Sequence, residues 1–184
     1  MSGGSPHVPG AAPAKLLLTG VPGAGKTHLR EYLVAGHGYF GMSLNEEDPP
    51  APADAVRVGL YNRLHRRRQP DRLADDLMAI DGDVVIEWGF PINERCFRFA
   101  RTLRERGLRV VWLECDDAAA RERFLGRGKV DVAEFDAQLA RIRAGYATIT
   151  DVVAPIVIRV LRPDGASRAS AELLAEIVAR AATD

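Results

Sequence analysis

A glycine-rich segment near the start of the chain constrains its fold and chemistry more than any other feature. The segment is Gly20-Val21-Pro22-Gly23-Ala24-Gly25-Lys26-Thr27, and it overlaps the end of the apolar run 15–20. Glycine lets the backbone turn sharply and lets a ligand approach without meeting a side chain. Successive backbone N–H groups and the N-terminus of a following helix then point at one anion. The spacing G-x-x-x-x-G-K-[ST] therefore predicts a loop that binds the phosphates of a nucleotide.

The side chains of this loop have separate expected roles. Lys26 supplies a movable positive charge for the β- and γ-phosphates, and the Thr27 hydroxyl is a candidate ligand of Mg²⁺. The residues expected to contact the nucleotide are Gly20, Val21, Pro22, Gly23, Ala24, Gly25, Lys26, Thr27 and His28. Because His28 stands where G-x-G-x-x-G needs its last glycine, a dinucleotide site of the Rossmann kind is disfavoured. The alternative is a glycine-rich turn with an incidental lysine.

Short apolar runs alternate with amphipathic helical segments along the chain. The predicted strands are Lys15–Gly20, Tyr39–Leu44, Val84–Glu87, Arg109–Glu114 and Ile156–Leu161. Apolar strands separated by helices are typical of a parallel sheet covered on both faces. We therefore expect an α/β chain over residues 15–184, with three α/β/α layers and a mainly parallel sheet of about five strands. Residues 1–14, rich in Gly, Pro and Ala, are predicted to be a disordered leader.

Composition narrows the classes of partner. Lys plus Arg and Asp plus Glu each number 25, so the formal net charge is zero and duplex nucleic acid is a disfavoured partner. No run approaches the ~18 apolar residues of a membrane helix, so no membrane partner is expected. Cys96 and Cys115 lack CxxC spacing and are interpreted as buried thiols of a cytoplasmic protein.

A carboxylate at the end of a neighbouring strand is the second expected part of the site. Asp83-Val84-Val85-Ile86-Glu87 offers two acidic residues, one at each end of the predicted third strand. In a parallel sheet the chemistry lies at the carboxyl ends of the strands, where the phosphate loop also lies. Glu87 is therefore the candidate that holds Mg²⁺ or takes a proton. An ordinary glutamate at a strand end is the alternative.

With the phosphate loop and Glu87-Trp88-Gly89-Phe90 placed, the chain resembles the small P-loop kinases of the shikimate and gluconate kinase type. It resembles more closely the bacterial single-domain proteins labelled AAA-family ATPases, over about residues 15–181. Members of that group carry an acidic-Trp-Gly-Phe segment after the third strand and an arginine a few residues on, here Arg95. The resemblance implies the P-loop NTPase fold, with ATP and Mg²⁺ as cofactors. The group more often has Asp at position 87, where this chain has Glu.

The same resemblance implies a mobile lid over residues 117–132. In similar kinases, the arginine positions that match Arg123 and Arg127 close over ATP, one near the adenine and one at the transferring phosphoryl group. A guanidinium brought in by a lid would neutralise charge that develops in the transition state, and closure would exclude water. The alternative is a solvated helix face with i,i+4 charge pairs.

The acceptor side departs from the shikimate kinase pattern. Those kinases have an Asp just after the second strand that binds the acceptor hydroxyl, and the stretch 43–48 has none at that place. Glu46 is the predicted substitute, and the helical region 53–80 is expected to cover the acceptor. Arg66 either binds a phosphate or carboxylate of the substrate or complements a helix C-terminus. Arg95 is expected to face the same site.

These parts together predict an ATP- and Mg²⁺-dependent kinase for a small hydroxylated molecule, with Lys26, Glu87 and Arg127 as catalytic residues. ATP is favoured over GTP because the Asn/Thr-Lys-x-Asp pattern of GTPases is absent. One alternative is a nucleotide-binding switch or assembly ATPase that acts through a protein partner. Another is a nucleic-acid end kinase, which the zero net charge disfavours. The expected state is a monomer or homodimer.

Overall fold

A computed structural model describes residues 14–89, 91–126 and 131–181. Most of the predicted leader (residues 1–13), Phe90 and the lid residue Arg127 lie outside these ranges. The described elements are β1 (Lys15–Gly20), α1 (Lys26–His37), β2 (Phe40–Ser43), α2 (Ala55–His65), α3 (Pro70–Met78), β3 (Val84–Glu87), α4 (Glu94–Glu105), β4 (Arg109–Glu114), α5 (Asp117–Leu125), α6 (Val132–Val152), β5 (Ile156–Arg159) and α7 (Ser170–Ala181).

The strands form one sheet in the order β2-β3-β1-β4-β5, and every pairing is parallel. The predicted α/β fold with a five-stranded parallel sheet is therefore confirmed. β1 lies in the middle, and all six of its residues are buried because both sheet faces are covered. The largest fully buried side chains are Trp112 of β4 and Phe135 of α6. This arrangement holds the carboxyl end of β1, where the glycine-rich loop begins, between β3 and β4.

The two outer strands are shorter than predicted. β2 loses Tyr39 and Leu44 from its predicted ends, and β5 ends at Arg159. Leu161 forms an isolated antiparallel bridge with Ser167, so it belongs to the loop that follows β5. An outer strand has one neighbour, so it stops pairing as soon as the loop turns away from that neighbour.

Helix ends follow local chemistry. Asp116 caps α5 by accepting hydrogen bonds from the N–H groups of Ala118 and Ala119. Within the predicted helical region 53–80, α2 ends at His65, and Arg68 has the left-handed backbone conformation with φ of 58°. Cys115 is buried as expected, whereas Cys96 is half-buried, and both are free thiols. No helix in the described ranges is long and apolar enough to span a membrane.

Candidate active site

The glycine-rich loop is shaped by close backbone packing. Gly20 and Gly23 have φ of 126° and 80°, values that side chains disfavour. A Cβ at Gly20 would lie 2.3 Å from the carbonyl oxygen of Leu113, and one at Gly23 would lie 2.3 Å from that of Ala120. The loop is therefore pressed against β4 and α5, and only glycine fits at these two positions. This packing fixes the loop at the N-terminus of α1.

The ammonium group of Lys26 lies over this loop. Its Nζ donates hydrogen bonds to the carbonyl oxygens of Gly20, at 3.1 Å, and Val21, at 3.0 Å. These are exchangeable partners, because a bound phosphate oxygen carries more negative charge than a carbonyl oxygen. The Lys26 ammonium therefore lies over the loop that is predicted to bind the phosphates.

Thr27 and Glu87 meet as the sequence analysis expects. The Thr27 hydroxyl donates to Oε1 of Glu87 at 2.8 Å, and Glu87 is only 5% exposed at the end of β3. A hydroxyl and a carboxylate are hard oxygen ligands, and Mg²⁺ in nucleotide sites needs only one or two of these from the protein. The pair therefore fits Mg²⁺ when nucleotide phosphates and water supply the remaining ligands.

Arg30 is a site residue that sequence reasoning missed. Its Nη1 lies 3.5 Å from Oε2 of Glu87 and 3.6 Å from Asp48, and its side chain is 15% exposed. The guanidinium compensates the charge of the buried Glu87 carboxylate, which would otherwise be costly to bury. Its position one helical turn after Thr27 is the sequence signal that could have identified it.

Two cavities adjoin at this point. The smaller, about 140 Å³, lies over the glycine-rich loop and is lined by Lys26, Thr27 and Glu87, with Phe124 of α5 on the lid side. The larger, about 310 Å³, lies between the loop after β2 and the start of α4. We call them the phosphate cavity and the acceptor cavity. Asn45, Glu47 and Gly89 line both cavities and mark their junction.

Of the two consecutive glutamates after β2, Glu47 lines both cavities and the predicted Glu46 lines the acceptor cavity. Glu46 lines only the acceptor cavity, its Oε1 lies 3.5 Å from Nδ1 of His65, and its side chain is 86% exposed. The N–H of Asp48 donates to the carbonyl oxygen of Asn45 at 3.1 Å, which closes a tight turn. That turn decides which of two consecutive glutamates also reaches the phosphate cavity, and no sequence pattern reports it.

The predicted substrate arginines are placed differently from each other. Arg95, in the first turn of α4, lines the acceptor cavity as expected. Arg66 is exposed and does not line that cavity, whereas Arg68, two residues on, does. The left-handed backbone at Arg68 redirects the chain after α2, and that change of direction leaves no trace in the sequence pattern.

The described part of the predicted lid is tied to the loop after β5. Arg123 of α5 donates to the hydroxyl of Ser167 at 2.7 Å, and its guanidinium lies 3.8 Å from the sulfur of Cys115. Burial raises the pKa of the Cys115 thiol above its ordinary value. Arg121 instead pairs with Asp136 on α6 at 3.1 Å, away from the site. Arg123 therefore contacts Cys115 and the loop after β5, whereas Arg121 contacts α6.

Known proteins resemble this chain in sequence and in structure. A family model described as an AAA domain matches residues 16–143. A gluconokinase from Sinorhizobium meliloti 1021 is 19% identical with a TM-score of 0.54, covering 91% of this chain and 90% of its own. A shikimate kinase from Acinetobacter baumannii in complex with shikimate is 14% identical with a TM-score of 0.56, covering 94% of each chain.

A tunicamycin resistance protein from Deinococcus radiodurans has a similar structure as well. It is 16% identical with a TM-score of 0.54, covering 92% of this chain and 96% of its own. No curated protein sequence matches this chain. At these identities the structural likenesses establish the fold, a P-loop α/β fold shared with small kinases.

Proposed function

The chain belongs to the AAA domain family, and we propose that it is an ATP- and Mg²⁺-dependent kinase that phosphorylates a hydroxyl group of a small molecule. The observation that carries this proposal is the acceptor cavity, which adjoins the phosphate cavity at Asn45, Glu47 and Gly89. An ATPase that passes its γ-phosphate to water needs no second cavity. The small-molecule kinases among its structural neighbours add support.

In this proposal the glycine-rich loop binds the β- and γ-phosphates. Its backbone N–H groups and the N-terminus of α1 donate to phosphate oxygens. Lys26 exchanges its carbonyl partners, Gly20 and Val21, for the phosphates and follows the charge that develops during transfer. In this proposal Arg123 and Arg127 of the lid, residues 117–132, add further compensation of the phosphate charge.

Thr27 and Glu87 would hold Mg²⁺, which when bound neutralises charge on the phosphate oxygens. The hydrogen bond between the two side chains, 2.8 Å long, keeps both oxygens on one side of the site. Arg30 keeps the Glu87 carboxylate oriented from behind. These residues prepare the site before the acceptor binds.

In this proposal the acceptor hydroxyl lies at the junction of the two cavities. Glu47 is the carboxylate that lines both, so we assign to it the hydrogen bond that orients the hydroxyl and accepts its proton. Helices α2 and α3 cover this side and are the proposed acceptor-binding region, residues 53–80. Glu46 acts at the outer edge, where it contacts His65.

The test is ADP release from ATP and Mg²⁺, with and without pooled sugars, nucleosides, hydroxy acids and aminoglycosides. We expect one pool to stimulate release, and Glu47→Gln to reduce that stimulation more than Glu46→Gln does. A slow rate that no pool changes would contradict the kinase proposal and favour a nucleotide switch that acts through a protein partner. GTP in place of ATP serves as the control for nucleotide preference.

A further inference from the structure

The guanidinium of Arg30 lies between two carboxylates that belong to different elements. Its Nη1 is 3.5 Å from Oε2 of Glu87, at the end of β3, and 3.6 Å from Oδ2 of Asp48, in the loop after β2. Charge-assisted hydrogen bonds between arginine and carboxylate are about 2.7–2.9 Å long, and the partly buried pair Arg143–Glu114 reaches 2.6 Å. One nitrogen of Arg30 is therefore shared by two carboxylates, and neither of them holds it at that distance.

The backbone of the loop after β2 fixes the position of Asp48. The N–H of Leu44 donates to the carbonyl oxygen of Glu87, and the N–H of Gly89 donates to Oδ1 of Asn45, both at 2.7 Å. The N–H of Asp48 then donates to the carbonyl oxygen of Asn45 at 3.1 Å. The Asp48 carboxylate is thus held beside Arg30 by a loop that is itself bound to the end of β3.

The Glu87 carboxylate has a different partner on each oxygen. Its Oε1 accepts the hydrogen bond from the Thr27 hydroxyl, whereas its Oε2 faces Arg30. If Arg30 moved to hydrogen-bond distance, it would occupy lone pairs of this carboxylate and bring a positive charge closer to a bound metal ion. Asp48 attracts the same nitrogen and so opposes that approach.

We propose that Asp48 is a positioning residue for the metal site: it holds Arg30 back from Glu87, so that the Glu87 carboxylate stays available to Mg²⁺. The inference rests on the ATP- and Mg²⁺-binding part of the function proposed above and needs no acceptor molecule. Residues that contact a metal ligand from behind commonly tune the affinity for the metal. Because Asp48 closes the turn that carries Glu47, the same contact links the metal site to the acceptor side.

The experiment measures the affinity for a fluorescent ATP analogue in Mg²⁺ and in EDTA, and the ratio of the two affinities is the Mg²⁺ effect. We expect Asp48→Asn to lower the Mg²⁺ effect about fivefold, because Arg30 then closes on Glu87. The affinity in EDTA should stay close to that of the parent, since Asp48 does not line the phosphate cavity. The melting temperature in EDTA should not fall, because the Asp48 side chain is 60% exposed.

The second variant is Arg30→Gln, which removes the competing charge and keeps an N–H donor beside Glu87. Its Mg²⁺ effect should be at least as large as that of the parent. Adding Asp48→Asn to this variant should change nothing further, because Asp48 acts through the guanidinium. Glu31→Gln is the matched control: Glu31 is exposed, follows Arg30 in α1 and lines the same outer cavity as Arg30 and Asp48. Its Mg²⁺ effect should equal that of the parent.

The outcomes separate this inference from the kinase proposal. A Mg²⁺ effect that Asp48→Asn leaves unchanged overturns the inference, and so does an equal loss in Glu31→Gln or when Asp48→Asn is added to Arg30→Gln. Loss of the Mg²⁺ effect in Arg30→Gln alone also overturns it, because Arg30 would then support the metal. A parent whose nucleotide affinity does not depend on Mg²⁺ overturns both the inference and the metal site proposed at Thr27 and Glu87. The expected pattern in a protein that no acceptor pool stimulates supports the inference and contradicts the kinase function alone.

Discussion

The two ends of β1 each hold a lysine whose ammonium donates to two backbone carbonyl oxygens. At the amino end, Lys15 donates to Ile80 and, at 2.7 Å, to Gly82. At the carboxyl end, Lys26 donates to Gly20 and Val21 at 3.1 and 3.0 Å. Lys15 is 4% exposed and fastens the α3–β3 loop to the sheet, whereas Lys26 lines the phosphate cavity. The same bonding pattern is structural at one end and available for a ligand at the other.

The surroundings of the two lysines explain the difference. Burial lowers the pKa of Lys15, and its carbonyl partners belong to a loop folded onto the sheet. Lys26 sits where a loop pressed against β4 and α5 leaves a space that anions can enter. In a parallel sheet, backbone N–H groups and helix N-termini converge at the carboxyl ends of the strands. Chemistry is therefore expected at one end of β1 only.

The largest effect is expected from Lys26→Ala. Phosphoryl transfer should fall roughly 10²- to 10³-fold, because the charge that follows the transferring group is lost. The melting temperature should stay close to that of the parent, since Lys26 lines the phosphate cavity and is not part of the hydrophobic core. Steady-state kinetics with the stimulating acceptor pool measures the loss, and unchanged turnover in a folded variant would contradict the assigned role.

Gly20→Ala and Gly82→Ala compare the backbone at the two ends of β1. We expect it to lower the free energy of unfolding by about 3 kcal/mol, because its Cβ would meet the Leu113 carbonyl and its φ is positive. Gly82→Ala, at the amino end, is the matched control: its φ is also positive but nothing lies within 4 Å of the added Cβ. Its expected cost is about 1 kcal/mol. Urea denaturation of both variants measures the difference, and equal costs would show that strain alone matters.

Lys15→Met should have the opposite pattern of effects from Lys26→Ala, with a loss of stability and no loss of nucleotide binding. We expect the free energy of unfolding to fall by about 2 kcal/mol, because the carbonyl oxygens of Ile80 and Gly82 lose their donor in a buried place. Affinity for a fluorescent ATP analogue should stay unchanged. A Lys15→Met variant that keeps its full stability would contradict the structural role assigned to the amino end of β1. Poor nucleotide binding by this variant would contradict the assignment of ligand binding to the carboxyl end alone.

The smallest effect concerns pH at the amino end. Burial, with the nearby Asp83 charge, raises the pKa of Tyr39 from 10.0 to about 12. The folded state therefore keeps a proton that the unfolded chain loses, so stability is full below pH 10 and falls between pH 10 and 12. Tyr39→Phe should remove about 1 kcal/mol of that fall at pH 11. Unfolding curves at pH 9 and 11 test this, and an unchanged pH dependence would contradict it.

Much of the fold could be predicted from local sequence patterns. The bounds of β1, β3 and β4 match their predictions, because runs of apolar residues in a covered sheet need no distant information. The outer strands β2 and β5 were predicted too long, since their ends depend on where a neighbouring chain segment turns away. At the site, the sequence pattern predicts Glu87 near Thr27, whereas the ion pairs of Arg30 with Glu87 and Asp48 also depend on how the loop after β2 folds.

The sequence by itself determined the phosphate loop, the parallel sheet and the Glu87 end of β3, because each rests on spacing along a regular element. Only the tertiary structure decided that Glu47 rather than Glu46 lies at the cavity junction, and that Arg68 rather than Arg66 lines the acceptor cavity. Both choices lie in irregular backbone, a tight turn and a left-handed residue. One residue there can reverse the direction of a side chain, and sequence periodicity carries no information about that reversal.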